Sequence, residues 1–60
     1  VKVHDVVRVQ RGRYAGDVGV VLAVKPEGSA KVEIEGVRDG RPFVVARWFA
    51  LDNLGANRGN

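Results

Sequence analysis

Within seven consecutive positions the chain carries Arg8, Arg11, Arg13 and Tyr14, three permanent cations and one aromatic ring grouped around Gly12 and Gly16. A guanidinium presents a planar fork of N–H donors that matches phosphate oxygens, so three of them around one loop make an anion-binding edge. Solvated cations that only keep a small domain soluble are the competing reading. Tyr14 can stack on an unpaired base or sugar, or can anchor its own loop by packing, and packing is the expectation. Lys25, Lys31 and Arg38 would extend the cationic rim. On single-stranded nucleic acid each such phosphate contact lowers the log–log dependence of affinity on salt by about 0.7.

For catalysis the residues offer little. There is no cysteine, Ser29 is the one aliphatic hydroxyl and sits among turn residues, and His4 is the sole imidazole, with no second or third ligand at metal spacing. Asp5, Asp17, Glu33, Glu35, Asp39 and Asp52 could pair as carboxylates, but a chain this short builds no deep concave site to shift their titration. The expectation is a binding module and no enzyme, with no metal and no cofactor.

Sixty residues make one domain, because a chain of that length buries only about 60% of the surface its unfolded form exposes. With no cysteine, its stability must come from packing, for which a 45% apolar content is a good supply. A formal charge of +3 favours anionic partners: nucleic acid, an acidic protein or a membrane surface. No apolar run is long enough to span a bilayer, and no leader pattern opens the chain, so a soluble, cytoplasmic location is expected. The chain starts at Val1 and has no methionine, as a processed chain or a piece of a longer one would.

The elements that must hold the cations read as strands. Valine is stiff in a helix and packs well on a pleated surface. Asp5 to Gln10 is expected as the first strand, with Val7 and Val9 on one face and Arg8 and Gln10 on the other. Arg11 to Asp17 is the loop, and Val18 to Lys25 the second strand, apolar on both faces. Pro26 to Ser29 is a turn, and Lys31 to Glu35 a third strand whose Lys31, Glu33 and Glu35 face water, with Glu33 and Glu35 opposite cations on a neighbour. Arg38, Asp39 and Gly40 turn the chain into a fourth strand, Arg41 to Trp48, with Pro42 near its start. Phe49 to Leu54 breaks the alternation, and a helical or 3₁₀ turn over Ala50, Leu51 and Asp52 precedes a fifth strand around Asn53 to Gly55, giving a domain over 1–55 and a frayed tail over 56–60. Of the adjacent Trp48 and Phe49, at least one belongs to the core, and Arg47 could stack on whichever ring is exposed. Closing so few short strands on themselves is how a small sheet avoids bare edges.

Asp5, Val7, Val9, Gly12, Gly16, Gly19, Val21 and Val24 resemble the KOW motif of ribosomal proteins and transcription elongation factors, and Val32 to Val37 look like that family's third strand with its Glu-Gly-Val ending. The resemblance covers Lys2 to Arg38. It implies an all-β, SH3-like barrel of five short antiparallel strands with a 3₁₀ turn before the last, and a loop that contacts RNA or a ribonucleoprotein. Gly12 and Gly16 permit backbone angles that a Cβ forbids, and Gly19, inside a strand, marks a bulge, a bend or a close backbone approach. Two departures stand out. Ala15 occupies a position where the family commonly has lysine, and Val20 one where ribosomal members carry a basic residue, which makes that strand face a dry contact patch.

Arg47 to Leu54, with its Phe-Ala-Leu core, is similar to the closing segment of the SH3-like peripheral stromal subunits of photosystem I that help dock ferredoxin. That resemblance implies an alternative, a docking subunit whose basic rim and apolar Val20, Phe43 and Trp48 meet an acidic partner protein. An apolar patch on the fourth strand would favour protein, and a polar sheet face with a cationic loop would favour nucleic acid.

Overall fold

The computed structural model describes residues 1–56. Five strands follow one another, β1 (Val6–Val9), β2 (Val18–Lys25), β3 (Ser29–Arg38), β4 (Arg41–Ala50) and β5 (Leu54–Ala56), with a 3₁₀ turn over Leu51–Asn53 before the last. All pairings are antiparallel, in the order β4-β3-β2-β1-β5. The alternation of apolar residues decides which face turns inward: Val7 and Val9 of β1, Val21 of β2, Ala30, Val32 and Ile34 of β3 and Leu54 of β5 form one buried cluster. Phe43, Val45 and Phe49 of β4 pack onto the same cluster. The two outermost strands therefore serve a single core, and the sheet is curled into an SH3-like barrel. Ile34, Val9, Val21 and Val32 are fully enclosed, each worth about 1.5–3 kcal/mol of burial.

The curl has a local cause at Gly19, which lies between Val7 of β1 and Ile34 of β3. A Cβ there would run into the Glu33 carbonyl and come within 2.6 Å of Val32 Cγ1, so of the readings that its position allowed, the close backbone approach holds. A second irregularity follows at Leu22. Val21 pairs with Val32 and Ala23 with Lys31, so two steps along β2 answer one along β3 and Leu22 bulges out. Beyond the bulge, Lys25 faces outward opposite Ser29, and Val24 lies opposite the buried Ala30.

Asp39 and Gly40 have φ of 52° and 75°, the pair of positive angles that a two-residue hairpin needs to match strand twist. They join strands longer than the sequence pattern suggests: β3 starts at Ser29 and runs to Arg38, and β4 continues to Ala50 because Phe49 and Ala50 still find partners in Ala30 and Ser29. The first strand is shorter than expected at both ends. Asp5 instead accepts the Lys2 N–H at 2.9 Å and closes a turn at Val3 and His4. Asn53 belongs to the 3₁₀ turn, and β5 reaches Ala56, opposite Val7. The rest of the expected tail, 57–60, lies outside the described residues.

The expectation that Glu33 and Glu35 face cations is corrected by the register. Glu33 lies between Val20 and Ala46, and Glu35 opposite Val44, so their neighbours across the strands are apolar. Among the described residues, no helix is long and apolar enough to cross a membrane.

Candidate functional site

The glycine loop is a built structure. Gly16 N–H donates to the Val9 carbonyl at 2.7 Å and Val9 N–H to the Asp17 carbonyl at 2.9 Å, closing its base, while Ala15 N–H reaches the Gly12 carbonyl at 3.1 Å. Gly12 and Gly16 both have φ of 89° with open space where a Cβ would stand. Backbone angle, not crowding, is what calls for glycine at both positions.

From the far end of the chain, Asn53 clamps the loop's entry. Its Oδ1 accepts the Arg11 N–H at 2.8 Å, its Nδ2 donates to the Arg11 carbonyl at 3.2 Å, and its own carbonyl accepts the Gln10 N–H at 2.9 Å. Sequence reasoning missed this residue, since the contact spans 42 positions. The only signal was an amide side chain next to the expected turn.

Tyr14 is turned inward as an anchor. Its ring packs on the core and meets Phe49 edge-on, with centroids 6.3 Å apart. Arg38 covers it: the guanidinium stands 5.5 Å from the Tyr14 ring centre and 5.2 Å from that of Phe43, and donates to Asp17 Oδ2 at 2.7 Å. Arg38 thus holds the loop to the β3–β4 hairpin. Its partners are Tyr14, Asp17 and the Arg13 carbonyl of the loop and Phe43 of β4.

The three loop arginines are engaged to different degrees. Arg13 is exposed, and its side chain has no hydrogen-bond or ion-pair partner among the described residues. Arg11 pairs with Asp52 at 3.5 Å, with the two side chains 68% and 83% exposed, a contact worth about 0–1 kcal/mol that a phosphate can replace. Arg8, on the outer sheet face opposite Val18 and Gly55, reaches the Gly16 carbonyl only at 3.4 Å. Two cations expected on the same rim, Lys25 and Lys31, gather elsewhere, around Trp48: Lys25 Nζ stands 4.4 Å over the indole and Lys31 is its direct cross-strand neighbour. Phe49 is the core member of the aromatic pair and Trp48 is 44% exposed. Arg47, expected to stack on an exposed ring, donates to the Ala46 carbonyl, and Lys25 takes the ring because the bulge at Leu22 leaves it on Trp48's face.

Val20, Phe43 and Trp48 do not form one apolar patch. Phe43 lies over Gly36 on the core side beneath Arg38, and Val20 belongs to the outer face. No curated protein matches the chain. The family model of the KOW motif matches residues 5–35, just over half of the sixty. The match takes in Asp5, β1, the glycine loop, β2 and most of β3, and leaves Arg47 to Leu54 outside it. KOW is a non-catalytic binding motif, found generally in nucleic-acid-associated or ribosome-associated proteins. With its glycine loop inside the matched segment and its five strands curled around one core, this chain belongs to the KOW-motif family.

Proposed function

We propose that the domain binds RNA within a nucleoprotein assembly of translation or transcription, through Arg8, Arg11 and Arg13 of the glycine loop. The observation that supports this most is a loop fixed from three sides, by Asn53, by Arg38 and by the inward Tyr14, with the Arg13 side chain unpaired among the described residues and Arg11 only weakly held. A preorganised cationic edge loses little freedom on meeting phosphates, so its donors count fully towards affinity. Lysine is absent at Ala15, and the arginine forks carry the contact.

Fluorescence anisotropy with a labelled single-stranded RNA at about 50 mM salt should give micromolar affinity, and a log–log salt slope near −2 if all three arginines touch phosphate. R11A/R13A should remove most of the binding with the thermal transition little changed. Absence of binding by the unaltered domain under those conditions, to single-stranded and double-stranded nucleic acid alike, ends this reading and leaves the acidic protein partner as the one to pursue.

A further inference from the structure

The indole of Trp48 is an unusual expenditure on an edge strand. It projects from β4 to the outer face, away from the core that Phe49 joins, and stays 44% exposed beneath the Lys25 ammonium. Beside it is a surface hollow of about 480 Å³ lined by Lys25, Glu27, Gly28 and Ser29 along with Trp48 itself and its neighbours Phe49 and Ala50. That size is in the range of ligand sites, but the hollow is shallow and open, suited to a flat group laid on one wall. At Gly28, φ is 108° and a Cβ would meet nothing within 4 Å, so that side of the hollow is bare backbone. Glu27 accepts the Ser29 hydroxyl at 2.9 Å and is the one anionic group lining the hollow among the described residues, opposed by Lys25 and, across the strands, Lys31.

We infer that this hollow is a second RNA contact, in which one unpaired base stacks on Trp48 and the adjoining phosphate pairs with Lys25 and Lys31. The inference rests on the RNA-binding reading above and adds a site built from other residues than those of the glycine loop. A base offers the indole a broad π-face, and that stacking outweighs an exposed ammonium–indole contact. An arriving base therefore displaces the Lys25 ammonium from the ring, and the released cation is already beside the phosphate. Single strands fit and duplexes do not, because a paired base has no free face to lay on the ring.

Trp48 is the only tryptophan, so its emission reports on this site alone. The full chain is titrated with a short oligouridylate while tryptophan emission is followed, and in parallel the anisotropy of the labelled oligonucleotide is read at the same salt. The expected result is quenching that saturates together with the anisotropy. W48F should keep most of the affinity, and W48L, which retains an apolar side chain without a stacking face, should lose about tenfold. Binding by anisotropy with unchanged emission, or W48L binding as tightly as the unaltered chain, overturns the second site and leaves the loop site standing. No binding in either readout defeats both.

Discussion

Adding one methyl group at Gly19 tests the link between sequence and curvature more sharply than any change in the core. In G19A the new carbon would press on the Glu33 carbonyl and lie 2.6 Å from Val32 Cγ1. Val32 has no exposed surface and Glu33 is paired on both sides, to Val20 and to Ala46, so neither neighbour can step aside without opening the β2–β3 ladder. Overpacking of that kind costs about 1–3 kcal/mol, and in a domain this small each 1 kcal/mol lowers the midpoint by about 4–8 °C. A drop of roughly 10–20 °C is expected for a cost near the upper end of that range, read by circular dichroism on heating. G12A is the matched control, since its methyl group meets open space and only the φ of 89° opposes it; its cost should be about 1–2 kcal/mol, with the core unchanged. A G19A midpoint within a few degrees of the unaltered protein would refute the argument that β3 backbone fills the place of a side chain there.

Other outcomes follow from the loop's supports. N53A removes two hydrogen bonds to Arg11 and should lower stability by about 1–2 kcal/mol in urea, while weakening RNA binding without any change of charge. R38K keeps the charge but loses the fork that joins Asp17 and the two rings; about 1 kcal/mol of stability should go with it, again read by urea titration. D52N releases Arg11 from an exposed pair, so stability should stay within about 0.5 kcal/mol and RNA affinity should rise in the anisotropy assay; a fall in affinity would show that Asp52 orients Arg11.

What could be read from the residues was whatever depends on near neighbours. β2 is bounded as expected, Val18 to Lys25, because Asp17 and Pro26 punctuate a valine run, and the Asp39-Gly40 turn carries its own angular demand. The glycine loop was legible for the same reason. The hairpin's true length was not, because Glu-Gly-Val looks like a strand ending until Phe43 is seen to lie over Gly36, and the alternation looks broken from Phe49, with Ala50 in the turn, until Ala30 and Ser29 stand opposite. Faces were harder still. Trp48 and Phe49 are adjacent in sequence, and only the pairing with β3 decides which enters the core. The supports of the candidate site, Asn53 on Arg11 and Arg38 on Tyr14, join segments 42 and 24 positions apart, where no local rule reaches.

The bulge at Leu22 gives β2 a place to change length. With one residue removed there, Val21 would still meet Val32, Ala23 would still meet Lys31 and Lys25 would still lie across from Ser29, since the ladder already skips that position. Chains of this architecture that differ by a single insertion or deletion in their second strand would accommodate it at this point, leaving the loop before it and the indole after it in phase.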